Sequence, residues 1–449
     1  MVDTPTTERL KLGAPRGGMV DIKSRAPYGW APLAVLLLVG LVDRIEFGLL
    51  SGVLPKVQAE WGFSDTVAGS IPTASALAAA LFSLPAGYFA DRHNRTRIIA
   101  VVVVCWALAT LGSGLATGFA FFYVMRVFLS AAESVDNPAA GSLLADYYPP
   151  ASRPQAYGWT RVTTYLGGIG TILGGVLAEA FGWRSAFLFM VVPGLLTALV
   201  VWRLHEPVRG QLDRMIADAT TEPATTATTA APKPKQSFGR QLREILAIRT
   251  LIMVMIGLVL LTLGLAGVFY WLPSLMVRNF GIGTGAAGSL SGLVTIAGVI
   301  GGTLIGSRVG RIWHETRKGG RLLAGGGGIT LGSVVLAVAL TVDSIPLFCL
   351  VMLVSSVLMS MAIPNLMASL ADVLIASTRG LGFAVLQVSL AAGAAFGPLI
   401  VGVASDRTGS LVSAMYALIV PMVLGGLITL TARGSFERDA RRALEAARH

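Results

Sequence analysis

Reactive side chains are scarce in this sequence. Cysteine occurs twice, at Cys105 and Cys349, and histidine four times, at His93, His205, His314 and His449. Two separated cysteines make neither a disulfide framework nor a zinc spacing, and the histidines form no ligand cluster. No catalytic residue, metal site or cofactor is expected, and the chain does not read as an enzyme. Charge is scarce too: 13% of the 449 residues are charged against 54% hydrophobic, with a mean hydropathy of +0.71. A soluble domain carries about 25% charged residues. The first 28 residues also lack the apolar core and small-residue cleavage site of a signal peptide, and read as a cytoplasmic tail.

What the chain has instead is apolar length. A hydrocarbon core of about 30 Å takes roughly 20 apolar residues per helix. Runs of that size recur at 31–55, 66–90, 97–117, 119–147, 154–181, 184–203, 250–277, 285–307, 322–342, 345–374, 379–404 and 411–432. They predict an all-α, multi-pass membrane protein with twelve transmembrane helices.

The formal charge of +11 would suit nucleic acid, but its distribution points to a membrane. If the N-terminus is cytoplasmic, 28 of the 35 Lys and Arg fall in the tails and loops of that side. Only Lys56, Arg184, Arg278 and Arg407 fall on the other, and Arg44, Arg126 and Arg161 lie within spans. This bias follows the positive-inside rule, places both termini in the cytoplasm and removes the case for a nucleic-acid partner.

Between spans six and seven lies "ADATTEPATTATTAAPKPKQ", residues 217–236, whose composition cannot bury enough surface to offset ordering entropy. The expected organisation is a tail over 1–28, a six-helix bundle over 29–204, a cytoplasmic linker over 205–248, a second bundle over 249–432 and a tail over 433–449. The halves echo one another. "DRHNR" at 91–95 and "SRVGR" at 307–311 each follow the second span of a half, and "GVLAEAFG" at 175–182 and "GVASDRTG" at 402–409 each close a fifth. Matching strings at equivalent places argue for a duplicated, pseudo-symmetric unit.

The loop after span two, "GYFADRHNRTR" at 87–97, resembles the G-x-x-x-D-R-x-x-R signature of the major facilitator superfamily. Gly87 permits close helix approach, while Asp91 with Arg92 and Arg95 can form a charge-assisted cytoplasmic gate. The first half is similar to the spinster-like branch, which includes lysolipid transporters, through "DRIEFGLLSGVLPKVQAEWGFSDTVAG" (43–69), "MRVFLSAAESVDNPAAGSLLADYYP" (125–149) and "FGWRSAFLF" (181–189). "STRGLGFAVLQ" (377–387) and "GPLIVGVASD" (397–406) extend the resemblance into the second half. Organic-anion:proton symporters share the Asp-Arg pair of span one and the Arg and Glu of span four. The fold implied is the major facilitator fold, two six-helix bundles around a midplane cavity.

Span one carries Asp43, Arg44 and Glu46 within "GLVDRIEFGLLSG" (40–52), and span four carries Arg126, Glu133 and Asp136. A charge at the bilayer centre costs at least about 2.5–3.5 kcal/mol, so such groups face protein or a water-filled cavity. Asp43 and Glu133 fall near the midpoints of their spans. Arg126 precedes Glu133 by two helical turns, on the same face about 10 Å away along the axis. The family resemblance implies that Asp43 and Glu133 carry protons, while Arg44 and Arg126 pair with them or with an anionic substrate. Glu46 belongs to the same ion-pair set. A static salt-bridge network holding the helices is the competing reading.

In span five, "GGIGTILGG" (167–175) resembles the motif of proton-linked antiporters but has Thr171 where proline is expected, so close helix packing is the simpler reading. The second half is nearly free of charge within its spans, apart from Asp372. Its Tyr270 and Trp271 read as interfacial-belt or wall residues, and Met352, Met359, Met361 and Met367 as packing or as an adaptable apolar wall. The function expected is proton-coupled transport of an amphiphilic or organic anion, with a lysophospholipid-like lipid implied by the spinster resemblance. Small substrate, protons and membrane lipids are the partners of a monomer in the cell membrane. A drug:proton antiporter and a ligand-binding sensor without transport are the alternatives.

Overall fold

The computed structural model describes residues 11–13, 20–21, 24–220, 238–375 and 378–446. Twelve long helical segments stand among them: α1 (Ala31–Trp61), α2 (Asp65–Arg92), α3 (Arg95–Gly114), α4 (Phe119–Tyr147), α5 (Arg153–Phe181), α6 (Trp183–Trp202), α7 (Arg249–Phe280), α8 (Thr284–Thr316), α9 (Gly320–Ala339), α10 (Ile345–Val373), α11 (Arg379–Thr408) and α12 (Leu411–Thr431). Ten are long and apolar enough to cross a membrane by length and composition. The other two, α1 and α4, are those that carry the intramembrane charges. Short helices at Gln211–Thr220, Phe238–Leu246 and Arg433–Ala446 flank them. Most of the Thr/Ala/Pro tract lies outside the described residues; its first four residues instead close the helix Gln211–Thr220.

The duplication is visible in the turns. α1, α5, α7 and α11 each end at a glycine of positive φ: Gly62 (64°), Gly182 (85°), Gly281 (64°) and Gly409 (68°). That conformation is costly for a residue with a Cβ, and the first helix and the fifth helix of each half use it. α3 starts differently, with the Asn94 side chain accepting from the Arg97 N–H as an N-cap.

Two spans are interrupted rather than continuous. α5 tightens to a 3₁₀ turn over Thr163–Leu166 before Gly167 and Gly168. The helix beyond runs against α1 so closely that a Cβ on Gly170 would fall 1.8 Å from the Ile45 carbonyl oxygen. α10 breaks at Met361, between Ile345–Ser360 and Ala362–Val373. There α8 lies against it through Gly298, Gly302, Gly306 and Gly310, where an added Cβ would strike Ser356, Val357, Met361 and Asn365. Such stripes of small residues let helix backbones approach in a membrane, where hydrophobic burial supplies little association energy.

The chain forms two compact units. One comprises Met1–Leu49, Leu77–Gly170 and Phe181–Pro232. Its core includes Trp106, Phe122 and Phe187, with Phe122 edge-on to Trp183 and Phe187. The tail joins it: Leu12 pairs with Leu204, and buried Tyr28 packs between Tyr147 and His205. The second unit comprises Leu50–Ala76, Thr171–Ala180 and Lys233–His449. α1, α2 and α5 therefore contribute to both.

In the second unit Trp271 is buried, its indole donating to the Pro398 carbonyl at 2.9 Å, and the Tyr270 hydroxyl donates to the Ala68 carbonyl at 2.8 Å. Neither is an interfacial-belt residue; the aromatic bodies fill helix contacts and the polar tips find carbonyls left near prolines and helix crossings. Met352 and Met359 are also core residues, which supports the packing reading of the methionines. Asp372 is paired with Arg321 at 2.5 Å.

Candidate functional site

The charged residues of α1 and α4 come together within the first unit, as two ion pairs and two further carboxyls. Asp43 and Arg44 are adjacent in sequence and pair directly, Oδ2 to Nη2 at 2.8 Å. Arg44 is 36% exposed, and its guanidinium stands 5.6 Å from the Phe47 ring centroid. Glu133 and Asp136, one turn apart on α4, lie within its electrostatic reach.

Arg126 has a different partner. Its Nη1 donates to Glu46 Oε1, which also accepts from the Thr110 hydroxyl on α3 at 3.2 Å. The pair is closed off from solvent, with Glu46 fully buried and Arg126 5% exposed. The ring of Phe187 on α6 lies 5.4 Å from the guanidinium. Helical geometry explains the division. Positions 44 and 46 are about 200° apart around α1, so Arg44 and Glu46 point to nearly opposite sides.

Glu133 lies within electrostatic reach of both pairs, of Asp43 and Arg44 and of Arg126 and Glu46. Among the described residues its Oε1 is buried with no hydrogen-bond partner, as is Oε2 of Glu46. Asp136 lies near Asp43 and Arg44. Among these side chains four carboxyls face two guanidiniums, a surplus of acid that a low-dielectric interior does not tolerate in fully ionised form.

The four residues read as a cytoplasmic gate are described in part. The backbone of α2 passes through Gly87 and Asp91, but the surroundings of Gly87 and the side chain of Asp91 lie outside what is described. Arg92 is exposed. Arg95 is fully buried: it donates to Asp146 of α4, to Glu206 after α6 at 2.8 Å, to the Ser142 hydroxyl at 2.8 Å and to the Pro207 carbonyl at 3.1 Å. Glu206 also accepts from the Thr96 N–H at 2.9 Å, at the positive end of α3. Arg95 thus pins three segments of its own unit together.

Asp146 and Glu206 escaped the sequence reading. Their only signal was an acidic residue at the end of a fourth span and another just after a sixth. Because lysine cannot reproduce the guanidinium fork, Arg95→Lys should lower stability by about 1–2 kcal/mol, measured by thermal unfolding in detergent. An unchanged melting temperature would make the network dispensable.

The glycine-rich strings behave as packing elements. Gly170 meets α1, and a Cβ on Gly397 would fall 2.0 Å from the Leu263 carbonyl oxygen of α7. Thr171, at the antiporter-motif position, shares a hydrogen bond with the Ser51 hydroxyl at 3.1 Å.

Comparison with known proteins agrees with this architecture. Residues 36–342 match the Major Facilitator Superfamily. The gallate transporter of Pseudomonas putida is 26% identical over 307 residues, covering 64% of this chain and 67% of that protein. Protein spinster homolog 1 of Xenopus laevis is 24% identical over 282 residues; the match covers 61% of this chain but only about half, 51%, of the relative. The crystal structure of a bacterial homologue of the human lysosomal transporter spinster, inward-facing and unoccupied, superposes with a TM-score of 0.75 at 21% identity, covering 92% of this chain and 97% of that one. With a family match spanning most of the chain and the same helical fold, the protein belongs to the Major Facilitator Superfamily and is a transporter rather than an enzyme.

Proposed function

We propose that the protein is a proton-coupled secondary transporter of an organic anion that works by alternating access. The carrying observation is the cluster of Asp43, Arg44, Glu46, Arg126, Glu133 and Asp136, with four carboxyls around two guanidiniums. Arg44 is the partly exposed cation and meets the anionic group of the substrate. An anion arriving there loosens Asp43 from Arg44 and adds negative charge to a site already rich in acid. Proton uptake by Asp43 and Glu133 restores balance, and this ties substrate movement to protons. Arg126 is committed to Glu46 and holds the site together.

The similarity to a gallate transporter supports a small carboxylate as substrate. A lysophospholipid-like substrate is suggested by the spinster likeness, but two of the four methionines of its expected apolar wall, Met352 and Met359, belong to the core. The surplus of carboxyls favours a second reading, antiport of a cationic drug against protons. Uptake into proteoliposomes, with the pH gradient acid outside, acid inside or absent, tests all three with gallate, a lysophospholipid and a lipophilic cation. Gallate uptake stimulated by acid outside is expected; uptake of the cation alone, driven by acid inside, would establish antiport.

In this reading the chain is a monomer in the cell membrane with the linker and both termini cytoplasmic; the orientation is supported by the charge bias, since it puts 28 of the 35 Lys and Arg on the cytoplasmic side. Cysteines introduced in the 221–237 segment and in the C-terminal tail should be labelled from the cytoplasmic side only. Labelling of either from outside intact cells would overturn the topology.

A further inference from the structure

At the helix ends opposite the linker, two carboxylates hold matching positions in the two sequence halves. Glu179, in the last turn of α5, accepts from the backbone N–H of Gly285 in the first turn of α8. Asp406, in the last turn of α11, accepts from the backbone N–H groups of Asp65 and Thr66, at 3.0 and 2.8 Å, in the first turn of α2. Each carboxylate stands three residues before the left-handed glycine that ends its helix, Gly182 or Gly409. Each capped helix begins three residues after another such glycine, Gly62 or Gly281. The two contacts are thus one contact with the halves exchanged: the fifth helix of one half holds the second helix of the other.

Physical chemistry makes this a specific hold. The first N–H groups of a helix have no partner within the helix and carry about half a positive charge, so a carboxylate there gains hydrogen bonds and field together. The fit around Glu179 is tight, since a Cβ on Gly283 would lie 2.4 Å from Oε1 and one on Gly285 2.6 Å from Oε2. On the other side Asp65 receives both Nη groups of Arg278 at 2.7 Å, the Gln58 amide at 2.9 Å and the Ser405 hydroxyl at 2.6 Å. Behind the clamps the backbones touch: a Cβ on Gly52 would fall 2.4 Å from the Thr171 carbonyl oxygen, and one on Gly175 2.9 Å from the Gly288 Cα. All the residues that make these contacts belong to the second compact unit.

We propose that Glu179 and Asp406 are the twin latches of an outer gate, pairing α5 with α8 and α11 with α2 while the outer mouth is shut, and releasing when it opens. The proposal rests on the alternating-access reading and adds to it the groups that set the closed state. Helices in contact through glycine separate without unlocking side chains, so the carboxylates supply the polar part of the hold.

Spin labels at exposed Ala59 and Asn279, in the full-length protein with Cys105 and Cys349 replaced by serine, report the width of this mouth without substrate. Glu179→Gln and Asp406→Asn should each raise the open-to-closed ratio about three- to tenfold, and the double variant by roughly the product. Gly285→Ala, which disturbs the seat from the backbone side, should act in the same direction. Unchanged distances in both folded single variants would overturn the proposal, as would a lowered melting temperature with an unaltered mouth. Because distances are read apart from flux, transport without movement of the mouth would sink the gate alone. Movement of the mouth in a protein that transports none of the tested anions would leave the gate and sink the substrate reading.

Discussion

Glu133→Gln and Asp43→Asn should each lower pH-gradient-driven uptake at least about tenfold, equivalent to ~1.4 kcal/mol in the limiting barrier, and should flatten its dependence on pH. The amides match the carboxylic acids in size and mimic the protonated form, so they remove the proton cycle while preserving packing. Glu133→Gln should leave the fold intact, because Glu133 Oε1 has no hydrogen-bond partner to lose. Asp43→Asn loses one ion-pair partner, but Arg44 keeps its exposure to solvent and lies within the field of the α4 carboxyls. Substrate exchange without a gradient should survive in both. The measurement is radiolabelled anion uptake with imposed gradients beside counterflow at equal pH. Loss of counterflow together with driven uptake would make these groups part of binding or folding instead.

A different outcome is expected for the second pair. Glu46→Gln leaves the Arg126 guanidinium in a closed space with no full counter-charge, and breaking a buried pair costs about 3–5 kcal/mol. The variant should melt well below the parent and express poorly. Arg126→Met alone should be similarly damaging, because Glu46 then becomes the stranded charge, already holding one oxygen without a hydrogen bond. Joining Glu46→Met to Arg126→Met should recover most of the lost stability. If the double variant also regains gradient-driven uptake, the pair is structural; if it folds but does not transport, Arg126 belongs to the substrate path. Additive loss of stability would contradict the pairing.

These contrasting expectations separate two roles that the sequence left merged. Six ionisable residues in two spans were legible as a group, because apolar runs make any charge conspicuous. Their partners were not. Position along a helix fixes depth in the membrane, whereas pairing depends on rotation about the axis and on which helix lies alongside. Two residues of separation send Arg44 and Glu46 to nearly opposite sides of α1, and only the fold shows that Thr110 and Arg126 wait for Glu46 there.

The twelve helices and the duplication were likewise legible, from run length and from strings such as "GVLAEAFG" and "GVASDRTG". The use of those strings was not: they marked only the close of a fifth span, since a helix N-terminus offers no sequence label for the carboxylate, here Glu179 or Asp406, that will cap it. The breaks in α5 and α10 were hidden for a related reason. Glycine reports that a backbone can approach, and the approaching backbone comes from elsewhere in the chain. Arg95 shows the same limit. Its loop signature suggested a charge-assisted gate with Asp91, but gave no sign of Asp146 and Glu206, remote in sequence, with which it pairs.

Direct detection of proton movement tests the central claim most sharply. Proteoliposomes containing the protein and an internal pH-sensitive dye, with no imposed pH or voltage gradient, are given an inward gradient of gallate or a related carboxylate. Coupled transport predicts a prompt pH change inside that grows with the substrate gradient and is absent with Glu133→Gln. Carboxylate entry at an undiminished rate with no proton movement in the parent protein would contradict it.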